Sequence, residues 1–181
     1  MKIEAVDFFY LAMPTVRDVG DGSQDALLVR VEAEGQVGWG ECEAAPLPSI
    51  AAWCCPMSHS ACKPVCDSVY GQPLDSPEDI RRINAAVRAN SFDLLQADHT
   101  LSGVDVALWD LLGRRLKQPI YRLLGYTESL PKMAYASQLF GEHPNETYRR
   151  ACDVVRRGYR AAKFGRGRCR SRARSPRGAW S

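Results

Sequence analysis

The chain has 181 residues, 45% of them apolar and 25% charged, with a net charge of +3. That composition supports a real core, and the length fits one domain or one domain plus a fragment of a second. No apolar run approaches the roughly 18 residues that a membrane span needs, and the start, MKIEAVDFFYLAMP, carries acids and lacks a cleavable apolar stretch, so no membrane partner and a cytoplasmic location are expected.

The first 43 residues read as β structure. Ile3–Leu11 is a candidate strand, and a polar, glycine-containing segment, MPTVRDVGDGSQD, follows it as a mobile loop. From Leu28 the run Ala26–Ala33 alternates apolar and charged residues with period 2, and Val37–Glu41 resumes the pattern. Glu34-Gly35-Gln36 between them is a tight-turn signal, so the two runs form an antiparallel hairpin. A second irregular stretch, Ala44–Pro64, holds four prolines and three of the seven cysteines. An odd cysteine count without an export signal argues against a disulfide framework. Of Cys54, Cys55, Cys62 and Cys66, with His59 among them, only Cys62-x₃-Cys66 has zinc-knuckle spacing, so reduced, half-buried thiols are expected.

Helices come next. Ser76-Pro77-Glu78-Asp79 combines a capping serine, proline at the first helical position and an acid three residues after the cap, and Ile80, Ile83 and Val87 recur at helical spacing. A second helix is expected from Ser102, with Asp105 completing a capping box and Val104, Leu108, Leu111, Leu112 and Leu116 on one apolar face. Pro119 ends it, and a short segment Ile120–Leu124 closes at Gly125. Asp105 and Asp110 are expected to be structural rather than metal ligands. The alternation then changes: Lys132–Phe140 reads as a strand, Pro144–Arg157 as a helix stopped by Gly158, and Tyr159–Phe164 as a strand. Strand, helix and strand with short links make a βαβ unit.

Residues 166–181, RGRCRSRARSPRGAWS, hold six arginines and no acid. Of the chain's 24 basic residues 18 then remain in residues 1–165 against 21 acids, a balance of −3. A segment of this composition builds no core, and it is expected to be a disordered, out-of-frame tail. An RNA-binding role for its Arg-Ser alternation is the alternative, but no aromatic residue is interleaved for base stacking, and nucleic acid is not the expected partner. A free-standing interaction module is a further alternative without a positive sign.

Three pieces in order resemble the mandelate racemase/muconate lactonizing enzyme family of the enolase superfamily. They are Val37-Gly38-Trp39-Gly40-Glu41-Cys42; Ser102-Gly103-Val104-Asp105-Val106-Ala107-Leu108-Trp109-Asp110-Leu111-Leu112-Gly113 with Gln118–Gly125; and Gly158–Lys163. The resemblance implies an α+β cap domain over 1–125, an antiparallel β meander followed by helices. It also implies the first βαβ unit of an incomplete TIM (β/α) barrel over 126–165. It implies, for the intact ancestor, a magnesium-dependent dehydratase or racemase/epimerase. Such an enzyme removes the α-proton of a hydroxy acid, an acid sugar in particular, and stabilises the resulting enediolate. Lys163 matches the first lysine of the family's Lys-x-Lys motif, whereas Gly165 stands where the second usually lies. The two irregular stretches match the cap loops, which makes Arg17, Trp53 and His59 the candidates for contact with a small-molecule carboxylate substrate. No metal ligand is assigned. The chain is therefore read as truncated, inactive and without a metal of its own, and its open strand edges predict homo-oligomers or aggregation.

Overall fold

The structure is a computed structural model that describes residues 1–16, 24–42 and 45–165. The Arg-rich tail lies outside these residues. So does most of the first irregular stretch, Arg17 included. The chain divides into two compact units, Met1–Met13 with Asp25–Ser129, and Pro14–Gln24 with Leu130–Ser181.

The first unit begins with a three-stranded antiparallel sheet in the order β1 (Ala5–Leu11), β2 (Ala26–Ala33), β3 (Gln36–Cys42). Alternation in β2 decides its two faces. Leu27, Val29, Val31 and Ala33 are fully buried, while Arg30 on the other face reaches Asp7 of β1 at 2.7 Å. The link between β2 and β3 is only Glu34 and Gly35, with φ of 49° and 73°. Two successive left-handed residues twist the chain in the sense that a hairpin of right-twisted strands requires.

Among the described residues, five helices follow: α1 (Pro46–Cys54), α2 (Pro77–Asn90), α3 (Ala97–Leu116), α4 (Ile120–Leu123) and α5 (Pro144–Arg156), with a 3₁₀ turn at Val65–Ser68. The start of α2 is the capped one that its sequence predicts. The Asp79 carboxylate accepts hydrogen bonds from the Asp75 and Ser76 N–H groups at 2.9 and 3.0 Å and from the Ser76 hydroxyl at 3.1 Å. The stretch Ala44–Pro64 is not irregular throughout, because nine of its residues form α1. Prolines at 46 and 48 do not oppose this, since a helix's first turn has no partner for the N–H that proline lacks.

The long helix α3 starts five residues before the position that the capping pattern marks. Ser102 lies inside it and donates to the His99 carbonyl at 2.7 Å, so Asp105 completes no cap and instead accepts from the Asn84 amide of α2 at 2.7 Å. The earlier turn is held helical by tertiary contact. Buried Thr100 donates to the Ser49 carbonyl of α1 at 2.9 Å, and the Cys42 thiol donates to the Thr100 carbonyl at 3.6 Å. The apolar face runs through Leu101, Val104, Leu108, Leu111 and Leu112 and ends there, Leu116 being 39% exposed. Lys117, at φ 53°, ends the helix in the left-handed conformation.

The sheet and α3 meet backbone to backbone. A Cβ added at Gly40 would lie 2.0 Å from the Gly103 carbonyl oxygen, and one at Gly38 would lie 2.2 Å from that of Ala107. From the other side, a Cβ at Gly103 would lie 2.3 Å from the Cys42 sulfur. Val29, Val31, Ile80, Ile83, Val87, Leu108 and Leu111 belong to the core built around this contact.

The second unit contains β4 (Ala136–Leu139), α5 and β5 (Ala162–Gly165). The strands are parallel, with Ser137 opposite Lys163 and Leu139 opposite Gly165. Both are shorter than their patterns suggest. Residues 132–135 and 159–161 have the strand composition but lie outside the ladder. Gly158, at φ 84°, turns the chain out of α5 as expected.

Gly40→Ala should destabilise the protein by about 3 kcal/mol, the upper end for overpacking, because its nearest neighbour is backbone that has no rotamer to change. Gly35→Ala, where a Cβ meets nothing within 4 Å, should cost only about 1 kcal/mol for its left-handed φ. Urea unfolding of both variants checks the ranking.

The Asp75 N–H first, and then Arg82 and Ser76, hold the Asp79 carboxyl below its ordinary value of 3.8. Its contribution is therefore present above that value and lost as pH falls through the lower folded value. Asp79→Ala should cost about 1 kcal/mol near neutral pH and progressively less in acid, read from denaturant midpoints.

Candidate functional site

The sequence-derived candidates fall on different parts of the structure. Trp53, at the end of α1, is 6% exposed. Its ring packs between Phe8, at 5.2 Å between centroids, and Tyr70, at 5.4 Å edge-on. It joins α1 to β1 and to Tyr70, two residues past the 3₁₀ turn, and it stands in the core rather than on a loop surface.

His59 is exposed and held from both sides. Its Nε2 lies 2.6 Å from Asp93 Oδ2 and its Nδ1 lies 3.0 Å from the Ser58 hydroxyl. Asp93 stands in the connection between α2 and α3, 34 residues away, and its N–H also donates to the Ala61 carbonyl at 2.9 Å. The sequence carries no local signal for this partner, because the pairing depends on how the 56–64 segment lies across the α2–α3 connection. Serine, histidine and carboxylate in contact do not make a nucleophilic triad here. Ser58 is the chain neighbour of His59, and all three side chains are exposed, without the water-excluded cleft in which such a set gains its effect.

Lys163 belongs to the second unit. It is exposed on β5, beside Ser137 of β4. The loop after β4 is tied to the start of α5. Thr147 Oγ1 accepts from the Gly141 N–H at 2.9 Å, and the Glu146 carboxylate accepts from the Glu142 N–H at 2.9 Å and pairs with Arg150. The Glu142 N–H first, and Arg150 after it, hold the Glu146 carboxyl below its ordinary value. Arg150 also donates to the Leu139 carbonyl at 2.8 Å, at the end of β4. Phe140 and Phe164 stack across the same ends at 5.5 Å. These contacts fix the carboxyl-terminal ends of two parallel strands, where α/β folds place their chemistry.

Asp105 and Asp110 have structural partners. Asp110 accepts from the Trp39 backbone N–H at 2.9 Å and from Arg114 at 2.9 Å, which locks β3 to α3. Among the described residues no three His, Cys, Asp or Glu side chains stand close enough to hold a metal ion. A magnesium ion therefore has no donor set in them. Among the described residues, no helix is long and apolar enough to cross a membrane.

Comparison with known proteins gives these features a context. Residues 9–125 match the mandelate racemase / muconate lactonizing enzyme N-terminal domain. The crystal structure of a predicted mandelate racemase from Rhodobacter sphaeroides superposes with a TM-score of 0.85 at 65% identity, over 91% of this chain and 42% of that one. A mandelate racemase/muconate lactonizing protein from Paracoccus denitrificans, complexed with magnesium, is 27% identical with a TM-score of 0.60, over 90% of this chain and 41% of that one. A D-gluconate/D-galactonate dehydratase from Picrophilus torridus is 35% identical over 72 residues, which are 39% of this chain and 18% of the relative. The chain thus spans less than half the length of each.

Asp110→Ala should lower stability by about 1–2 kcal/mol through the unpaired Trp39 N–H and the lost Arg114 contact. Magnesium chloride should leave the melting temperature of neither wild type nor variant changed. A magnesium-dependent rise in the wild type alone would give Asp110 a metal role instead.

Proposed function

Because the chain belongs to the mandelate racemase/muconate lactonizing enzyme family of the enolase superfamily, we propose that it is the cap domain and first βαβ unit of an enzyme that removes the α-proton of a hydroxy acid. Residues 1–125 are the cap and 126–165 the barrel start. The observation that carries this reading is the order of parts: an antiparallel sheet and helices matching the family's N-terminal domain, then a parallel β4–α5–β5 unit with an exposed lysine on its second strand. Likeness to a gluconate and galactonate dehydratase favours an acid sugar as substrate, and dehydration or epimerisation as the outcome.

A carbon-bound proton beside a carboxylate is barely acidic, so the enzyme must neutralise charge that develops on the carboxylate oxygens. One relative is complexed with magnesium, and magnesium is proposed for this role, held by ligands outside the described residues. Lys163 contributes positive charge beside the reacting carboxylate. Gly165 cannot act as a base, so the base stands on another strand. Arg17 and His59 are proposed to face the substrate, while Trp53 supports α1 from beneath. The chain spans 42% of its Rhodobacter relative and is proposed to be inactive by itself, with a cytoplasmic location.

The test has two arms. The chain alone, incubated with D-gluconate and magnesium in D₂O, should incorporate no deuterium at the α-carbon. Residues 1–165, joined to the remaining barrel of the Rhodobacter relative, should restore magnesium-dependent exchange on a panel of hydroxy acids. Lys163→Ala in that chimera should reduce kcat at least ~100-fold, the scale for loss of one preorganised charge-stabilising group. An unaffected Lys163→Ala chimera would remove the lysine from the mechanism, and chelator-sensitive exchange by the chain alone would contradict its inactivity.

A further inference from the structure

Every glycine among the described residues has a reason in the backbone except one. Gly35, Gly71, Gly125 and Gly158 have left-handed φ, and at Gly38, Gly40, Gly103, Gly113 and Gly141 a Cβ would come within 3.1 Å of a neighbouring atom. Gly165 has neither feature. Its φ lies outside the left-handed region, and the described atoms nearest to an added Cβ are Leu139 Cδ2 at 3.5 Å and the Gln138 carbonyl oxygen at 3.9 Å. Those are ordinary contacts.

A glycine weakens a strand, because it brings no side chain to pack and loses more freedom on folding. Where one stands in a strand, it marks a bulge, a bend or the close approach of a ligand or of another backbone. The ladder excludes a bulge here. Leu139 is opposite Gly165 in regular parallel register, and the Phe140 N–H donates to the Gly165 carbonyl at 3.1 Å. Among the described residues no backbone approaches closely enough to forbid a Cβ.

Its place on the strand gives the gap a meaning. Alternation puts Lys163 and Gly165 on one face of β5, and the register puts Ser137 and Leu139 of β4 on that same face. Ala136, of the opposite parity, is the residue that β4 buries, at 7% exposed, whereas Ser137 and Lys163 are exposed. Gly165 follows Lys163 toward the carboxyl-terminal end of the strand, the end at which α/β folds bind their ligands. Two residues of strand span roughly 6.6 Å, the reach of a short carbon chain.

We propose that Gly165 is a specificity-determining residue: its missing side chain makes room beside Lys163 for the carbon chain of a long hydroxy acid. This rests on the α-proton chemistry proposed above, in which Lys163 stands beside the substrate carboxylate. The carbons beyond that carboxylate pass over Gly165, where a Cβ would stand in their way. Leu139 forms the floor of the gap. Its methyl group offers no hydrogen bond, so the gap selects its occupant by size.

Two measurements test this. In the full chain, Gly165→Ala should not speed amide exchange of residues 136–139, because the added Cβ meets only ordinary contacts. Faster exchange would make the glycine a packing requirement and overturn the proposal. In the chimera of residues 1–165 with the Rhodobacter barrel, kcat/KM is compared for D-gluconate and for the three-carbon acid glycerate. Gly165→Ala should lower the ratio of the two values, gluconate over glycerate, about tenfold, and Gly165→Val about 100-fold, the range over which excess carbon in a closed pocket discriminates. An unchanged ratio in the Gly165→Ala chimera, or wild-type exchange confined to glycerate, would overturn the proposal and leave the α-proton chemistry standing. A wild-type chimera that exchanges no hydroxy acid would overturn that chemistry, and the role of Gly165 with it.

Discussion

The structure of the first unit depends on one close approach, the contact of β3 with α3 through glycines on both sides. A helix normally packs on a sheet through two layers of side chains. Here Gly38 and Gly40 remove one layer, and Gly103 removes part of the other, so the carbonyl oxygens of Gly103 and Ala107 lie where side chains would stand. The helix is thereby brought down onto the sheet, and buried Val29, Val31, Leu108 and Leu111 close around the contact. Hydrogen bonds fix the register. Asp110 takes the Trp39 N–H beside the two glycines, and the Cys42 thiol finds the Thr100 carbonyl one turn before Gly103.

This contact changes the meaning of the motif that carries the family likeness. Its acids invite a chemical reading, yet Asp105 ties α3 to α2 and Asp110 ties α3 to β3. The motif preserves a packing surface on which the cap is assembled. The candidates for chemistry do not belong to it: His59 lies on a turn held by Asp93, and Lys163 on a parallel strand of the other unit. His59 is held by Asp93 and Ser58, and the backbone of Lys163 by its pairing with β4.

Much of the fold was legible where one physical signal acted alone. The alternation of Leu28–Ala33, the turn at Glu34-Gly35 and the cap at Ser76 each rest on local chemistry, and each appears in place. The failures came where two signals competed. Ser102 and Asp105 have the spacing of a capping box, but the Thr100–Ser49 bond and the Gly103 contact keep the preceding turn helical, and α3 begins at Ala97. Prolines 46 and 48 suggested a loop, although proline in a first turn is compatible with a helix. The surroundings of the candidates were legible only in part. Lys163 stands on a strand, as its run suggests, whereas the Asp93 partner of His59 depends on a crossing of segments with no local pattern, and burial of Trp53 depends on Phe8 and Tyr70 meeting it.

On this reading the first unit is closed and cooperative, built on the β3–α3 contact, while β4, α5 and β5 bury less apolar surface. Residue-resolved hydrogen exchange of the full chain under native conditions tests it most directly. The account predicts that the slowest amides lie in β2, β3 and α3 and exchange together, through global opening of the cap, while those of 136–165 exchange faster. Protection in 136–165 equal to or greater than that of α3, in a monomeric sample, would contradict it.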